Sequence, residues 1–275
     1  MATTHKTALV TGGTSGIGRG IVEALGREGY DVFFVGTSPT KGKAVEEQLG
    51  QGTGRFIRLD LSDLRAVRGF AARFAEDHPV LDLLVNVAGV MLPSRQETAE
   101  GHEKTFAIDH LAAFVLSHEL APSLARARHG RIANVSAPAR QVLKASLDFE
   151  DLQLREGYSQ VRAVVNGVHA KTVMTEILAD KFRAEGIDVI AFDPGPVKTD
   201  ISRNVKGVFG ALFRTATLFM PRVSKAAVYA STSSEMNGRT GQLVVGTKSQ
   251  PLRFEPGYKA RLWEATVDAL PFELA

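Results

Sequence analysis

The 275-residue chain predicts an α/β protein: a single doubly wound domain built on a parallel sheet of about seven strands. Three observations predict it. Short apolar runs alternate with longer segments of helical period. The runs are apolar throughout rather than alternating, as strands buried on both faces must be. The first run also turns through a glycine-rich loop directly into a helical pattern.

The elements follow in order. Strand-like runs occupy residues 7–10, 32–35, 56–59, 81–87, 131–135, 189–192 and 242–245. Helical periods lie between them at 16–27, 41–49, 64–75, 101–126, 162–184 and 224–234. Strands separated by helices imply right-handed crossovers and helices on both sheet faces. Residues 258–270 read as a further amphipathic helix, long enough to cover a cleft. No linker, repeat or low-complexity tract interrupts the pattern. One domain therefore spans 1–275, with a nucleotide-binding half, 1–135, and a substrate-side half, 136–275.

Composition narrows the function classes. Hydrophobic residues make up 44%, enough for a substantial core. There is no cysteine, which excludes disulfides and thiolate metal sites, and no metal is expected. Lys+Arg 33 against Asp+Glu 30 gives a net charge of +3 without a basic run, so nucleic acid is a poor partner. No apolar run reaches the length of a bilayer span. The opening MATTHKTALVTGG enters a strand at once, with no signal-peptide core, so a cytoplasmic protein is expected.

The glycine loop carries the first chemistry. Residues 7–10 run into Thr11-Gly12-Gly13-Thr14-Ser15-Gly16-Ile17-Gly18 and then a helix. Gly12 suits a tight turn off the strand, Gly16 a close approach to a pyrophosphate, and Gly18 close packing of helix on sheet. Free N–H groups at the helix start would bind the phosphates.

This octapeptide resembles the fingerprint of the short-chain dehydrogenase/reductase family, a Rossmann-fold family. Further landmarks follow in order. Asp60-Leu61 closes the third strand, where the family holds the adenine. Asn86-Val87-Ala88-Gly89 resembles the family's N-N-A-G. Pro194-Gly195-Pro196-Val197-Lys198-Thr199 resembles P-G-x-V-x-T, which in the family meets the nicotinamide. The resemblance covers residues 6–250, and Asp151-Leu152-Gln153 with Tyr158-Ser159 is most similar to its retinol-dehydrogenase-like branch. It implies cofactor contacts from Gly12, Thr14, Ser15, Gly16, Ile17, Gly18, Arg19, Thr37, Ser38, Asp60, Leu61, Asn86, Ala88, Gly89, Pro194, Gly195, Val197 and Thr199. The second strand ends in Gly36-Thr37-Ser38 without the acid that would accept an NAD ribose. Arg19 and Lys41 are placed to reach a 2′-phosphate, so NADPH is expected before NADH, although both also fit as solvated helix-face cations.

The catalytic positions implied by the same resemblance are empty. The family uses Ser, Tyr and Lys, with an Asn supporting a proton relay. No Y-x-x-x-K occurs here. Ala163, Ala170, Thr175, Leu178-Ala179, Gly186-Ile187 and Pro194-Gly195 align with family residues without a gap. They put Val164 at the Tyr position and Val168 at the Lys position. Asn134-Val135-Ser136-Ala137 puts Ala137 at the active serine, and Ile108-Asp109-His110 puts Asp109 at the relay Asn. Ser136, Tyr158 and Lys171 are tempting substitutes, but Tyr158 and Lys171 are displaced by turns of chain. Asp109, His110 and His169 remain as conceivable acids, although a helix His is more often packed or solvated.

Loss of the tyrosine does not by itself end catalysis. Hydride addition to a simple ketone leaves an alkoxide, with a conjugate acid near water at about 15.7. Addition to a quinone leaves a phenolate-like anion, with a pKa of about 10. The gap is about 8 kcal/mol. A charge-delocalising acceptor can therefore take hydride without an enzymic acid, with positioning contributing much of the rate. Phe209, Leu212, Phe213 and Ala216 repeat at helical spacing, and Leu218, Phe219 and Met220 follow, where the family covers its substrate. The stripe suits a flat polycyclic ligand and equally suits core packing.

The residues thus read as an atypical NAD(P)H-dependent reductase that passes hydride to a quinone or similarly activated polycyclic aromatic without a tyrosine proton donor. The competing reading is a non-catalytic nucleotide-binding relative, a sensor or partner subunit. The retained 194–199 segment favours the first; loss of the family's ribose-holding Lys favours the second. The expected partner is a bulky apolar or aromatic small molecule. A second enzyme component and a homo-oligomer stay open.

Overall fold

A computed structural model of the chain describes residues 6–49, 53–197, 221 and 223–274. Its first half alternates strand and helix: β1 (Lys6–Thr11), α1 (Gly16–Arg27), β2 (Tyr30–Gly36), α2 (Pro39–Leu49), β3 (Gly54–Arg58), α3 (Leu64–Asp77) and β4 (Leu83–Asn86). A long helical passage follows, made of α4 (Lys104–Phe106), a π-helical turn (Ala107–Leu111), α5 (Ala112–Glu119) and α6 (Ala121–Ala125). The second half holds β5 (Arg131–Val135), α7 (Ala139–Val142), α8 (Gln160–Lys181), β6 (Asp188–Asp193), α9 (Lys225–Thr232), β7 (Gln242–Val245), β8 (Lys248–Pro251) and α10 (Pro256–Asp268).

The described strands form one sheet in the order β3-β2-β1-β4-β5-β6-β7-β8, parallel up to β7, with β8 antiparallel to it. This is a single Rossmann-type α/β domain. Strand order reverses between β1 and β4, and ligands of such sheets bind in the crevice outside the carboxyl ends of the strands at that switch point. β8 goes beyond the strands that the sequence predicts. Its Lys-Ser-Gln-Pro has no apolar run to announce it, and it forms because the turn at Gly246 returns the chain onto the edge of β7.

Both faces of the sheet are covered, which explains the continuous apolar strands. Leu9, Phe33, Val35, Leu84, Ile132 and Val189 face one side with α3, α5 and α8. Their neighbours Ala8, Val10, Phe34, Val85, Ala133 and Ile190 face the other with α1 and α9. Helix starts are set by side chains that occupy otherwise unpaired N–H groups. Asp63 accepts from Ala66 N–H at 2.8 Å ahead of α3, Ser159 from Arg162 N–H at 3.2 Å ahead of α8, and Ser224 from Ala227 N–H at 3.1 Å ahead of α9.

The single helix expected over 101–126 is broken twice. The π turn inserts between α4 and α5, and Pro122, in the first turn of a separate α6, cannot continue α5's hydrogen bonding. The tail helix also departs from expectation, since α10 does not cover the cleft. It packs on α8 and α5, with Lys259 on Glu176 at 2.8 Å, His169 on Tyr258 at 2.8 Å and Trp263 edge-on to Phe114.

Candidate functional site

A cleft of about 620 Å³ opens at the carboxyl ends of the strands. Its walls are the segments that follow β1, β2, β3, β4, β5 and β6 in turn, together with one face of α8 and part of the π turn. The volume is that of a typical small-ligand site.

The glycine loop forms one end. Gly12, Thr14, Ser15, Gly16, Ile17 and Gly18 all line the cleft. Gly12 and Gly16 have φ of 67° and 52°, the left-handed region that favours glycine. A Cβ on Gly18 would lie 2.3 Å from the Gly12 carbonyl oxygen, so only glycine lets α1 begin this close to the strand end. Ser15 occupies the N-cap of α1 without a side-chain hydrogen bond to the first turn. The leading N–H groups of α1 are thus left for a ligand, and a helix N-terminus favours an anion. A cradle that a Cβ would fill, beside uncapped N–H donors, fits a dinucleotide pyrophosphate.

Beyond it the cleft is lined by Gly36, Thr37, Lys41, Leu59, Asp60 and Leu61. Burial pushes the Asp60 carboxyl up. The Ser62 N–H at 2.9 Å and hydroxyl at 2.7 Å, with Lys104 nearby, outweigh burial and hold it below the usual carboxylate range. Asp60 is thus a fixed anionic acceptor. Arg19 and Ser38 do not line the cleft. Arg19 pairs with Glu23 at 2.9 Å and with Gln48, while Ser38 accepts from the Lys41 N–H. Of the two cations considered for a 2′-phosphate, Lys41 is the one in the wall.

The middle of the cleft is the loop after β4, with Val87, Ala88, Gly89, Val90, Met91 and Leu92 all in the lining. Thr11 fixes it to β1, accepting the Val87 and Ala88 N–H groups at 3.0 and 3.1 Å. Asn86 lies underneath, fully buried, where its Nδ2 donates to Asn134 Oδ1 at 2.9 Å and Ser117 Oγ at 3.2 Å. It ties β4 to β5 and α5. Pro194 and Gly195 line the cleft, whereas Val197 is buried beside it. Thr199 and the apolar stripe at 209–220 lie outside the described residues.

The four positions that the family resemblance assigns to catalysis come together. Asp109, Ala137, Val164 and Val168 all line the same cleft as the glycine loop. Tyr158 is not in the lining; its hydroxyl donates to the Leu92 carbonyl at 2.9 Å. Ser136 is in the wall, but its proton is committed. Thr172 spends its own hydroxyl hydrogen on the Val168 carbonyl at 2.8 Å, so Ser136 must be the donor in the 2.8 Å Ser136–Thr172 pair. His110 turns away to Thr266 at 2.8 Å, and burial, reinforced by Lys171, pushes its imidazole down to about 3. His169 bridges the Val142 carbonyl and the Tyr258 hydroxyl, both at 2.8 Å, and serves the seat of α10.

Asp109 differs from the rest. Its Oδ1 accepts the Val90 N–H at 3.2 Å. Burial pushes its carboxyl up to about 7, although Lys171 and the Val90 N–H pull it down; Glu103 adds to the rise. Lys171 is buried on α8, where burial pushes its ammonium down to about 8 against the pull of Asp109.

Sequence reasoning missed Val90, Met91, Leu92, Ile108, Pro138 and Asp193 as lining residues. They lie in loops, in the π turn and at the last residue of β6, where no periodicity marks a face.

Comparison with known proteins matches this geometry. The family described as "short chain dehydrogenase" matches residues 6–147. Mouse retinol dehydrogenase 12 is 31% identical over 203 residues, covering 72% of this chain, and the chain spans 64% of that protein's length. Mouse polyprenol dehydrogenase is 32% identical over 255 residues, covering 86% of this chain and 74% of that protein. A crystal structure from Mycobacterium paratuberculosis superimposes with a TM-score of 0.74 at 24% identity, covering 98% of this chain and 95% of the other. A protein described as an NAD(P)-dependent gluconate 5-dehydrogenase from Beutenbergia cavernae, with bound NADP, gives a TM-score of 0.67 at 25% identity. That match covers 88% of this chain and 94% of the other.

Proposed function

This chain belongs to the short-chain dehydrogenase family, and from that premise we propose that it is an NADPH-dependent oxidoreductase that reduces a quinone or similarly activated polycyclic aromatic without a tyrosine proton donor. One observation carries the reading. The cleft keeps its glycine cradle and uncapped helix start, while Ala137, Val164 and Val168 line the same cleft at the positions where the family resemblance expects Ser, Tyr and Lys. A nicotinamide dinucleotide bound there supplies hydride. The protein's own part is to bind, orient and exclude water.

Gly12 to Gly18 would hold the pyrophosphate, Asp60 and Leu61 the adenine, and Ala88, Gly89, Pro194 and Gly195 the nicotinamide side. Lys41 and Thr37, with no acid at the end of β2, support NADPH over NADH. Val90, Met91, Leu92, Pro138, Val164 and Val168 present an apolar wall that suits a bulky apolar or aromatic ligand. The relatives' names, retinol and polyprenol dehydrogenase, agree with a large apolar substrate. No described helix is long and apolar enough to cross a membrane.

A second reading, a nucleotide-binding partner subunit, draws on Val168, which cannot hold a ribose as the family's Lys does. NADPH oxidation against a panel of quinones and ketones, with and without oxygen, separates the two. Calorimetry with Gly16→Val tests the site itself. The β-branched side chain at φ 52° should abolish measurable NADPH binding, and unchanged affinity would sink the assignment.

A further inference from the structure

The cleft floor holds one group that the reductase reading leaves unused. Asp109 sits in the π turn and reaches the cleft wall, yet it is only 2% exposed. Two glycines make its place. A Cβ on Gly167 of α8 would lie 2.8 Å from the Asp109 Cβ, and one on Gly89 would lie 3.3 Å from its Oδ1. The chain thus packs the backbone of α8 and of the loop after β4 directly against this carboxyl. Val164, Val168 and Lys171 are spaced i, i+4 and i+7 along α8, which puts them on one helical face. The first two are in the cleft wall beside Asp109. Lys171, one turn further on, is buried with Asp109 as its charged partner.

Resting on the reductase reading above, we propose that Asp109 supplies the proton to the acceptor oxygen in place of the missing tyrosine, with Lys171 as its positioning residue. The acceptor gains a hydride with its electron pair at carbon and a proton at oxygen. The O–H bond that breaks is the Asp109 carboxylic acid's, and water restores that proton afterwards. The Lys171 ammonium neutralises the carboxylate left behind. Such a donor must be protonated near neutral pH, and burial of Asp109 favours its acid form. The groups facing it are Lys171 from α8, Glu103 from the start of α4 and the Val90 N–H from the loop after β4. Its neighbour His110 is neutral and turned to Thr266.

Two measurements test this on the full chain. The first is ligand-free: infrared difference spectra of wild type minus Asp109→Asn across pH 4–9. The expected result is a protonated-carboxyl band that disappears with a midpoint near pH 7, moves up by a pH unit or more in Lys171→Met, and returns toward its original position in Lys171→Arg. A midpoint below pH 5 overturns the proposal. The second is the pH profile of kcat with NADPH and 1,4-naphthoquinone. Wild type should lose rate as pH rises through the same midpoint, and Asp109→Asn should lower kcat about tenfold or more and abolish that limb. Turnover that ignores Asp109→Asn overturns the proton-source assignment and leaves the reductase reading standing. No turnover with any quinone overturns that reading, and the assignment with it.

Discussion

Gly18 begins α1 so close to Gly12 that its missing side chain is a structural requirement: a Cβ there would stand 2.3 Å from the Gly12 carbonyl oxygen. The obstacle is backbone and cannot swing aside. Gly18→Ala should therefore push α1 off the end of β1 and disturb the uncapped N–H groups at its start. Overpacking of this kind costs about 1–3 kcal/mol. The expected result is a lower urea midpoint together with NADPH affinity weakened at least tenfold by calorimetry. Wild-type values for both would show that the close approach is not needed.

Tyr158 tests the alignment on which the empty site rests. Its hydroxyl donates to the Leu92 carbonyl at 2.9 Å and stays out of the cleft lining. Tyr158→Phe should leave kcat with a quinone within about twofold while lowering stability by about 1 kcal/mol, the usual net worth of one hydrogen bond. A large loss of kcat at unchanged stability would place this tyrosine at the reacting atoms.

The Asp109–Lys171 pair should leave a mark on stability as well as on rate. The folded-state carboxyl of Asp109 is raised to about 7, so its contribution is complete at low pH and is lost as pH rises from its ordinary value through about 7. The ammonium of Lys171 is depressed to about 8, so its contribution is complete above its ordinary value and is lost as pH falls through about 8. Both losses overlap between these pH values, and stability should show a trough near pH 7.5. The double variant Asp109→Asn/Lys171→Met removes both buried charges and should fill the trough, gaining about 1–4 kcal/mol there, because burial of a charge carries a desolvation cost. Denaturant curves at pH 5, 7.5 and 10 read it directly. A wild-type profile with its maximum at pH 7.5 would contradict the argument.

What the sequence makes legible follows from what each element buries. The strands show as continuous apolar runs because Leu9 faces one helical layer and its neighbours Ala8 and Val10 the other. The glycine loop is legible because Gly12, Gly16 and Gly18 meet backbone constraints that no other residue meets. The π turn is not legible, since residues 105–117 are buried all round and no periodicity changes at Ala107. The same uniform burial hides Lys171, which sits among Ala170, Thr172 and Val173 on a helix with little polar contrast. Arg19 and Ser38 fit the loop spacing of cofactor contacts, but Glu23, Gln48 and the Lys41 N–H claim them locally. Asn86 resembles a family contact in sequence and becomes an internal tie between strands because its neighbours Asn134 and Ser117 are equally buried.

Acceptor choice is the sharpest consequence of the empty donor positions. With valine at 164 and 168 and alanine at 137 in the cleft wall, no hydroxyl or ammonium at those positions meets a developing oxyanion. An acceptor that delocalises its charge needs less help, by about 8 kcal/mol between a phenolate and an alkoxide product. Activity should therefore rise with acceptor electrophilicity, be clear with quinones and remain far lower with unactivated ketones. Reliance on Asp109 should run the opposite way. Asp109→Asn should lower quinone turnover by about tenfold yet take residual ketone turnover to background, because the more basic product oxygen leans harder on the remaining acid. In air, a hydroquinone product returns electrons to oxygen, so NADPH consumption should exceed net product and an oxygen electrode should register the difference. A simple ketone reduced as efficiently as a quinone would mean a complete replacement for the tyrosine, and equal losses for both acceptor classes in Asp109→Asn would mean that this carboxyl shapes the cleft without serving the proton.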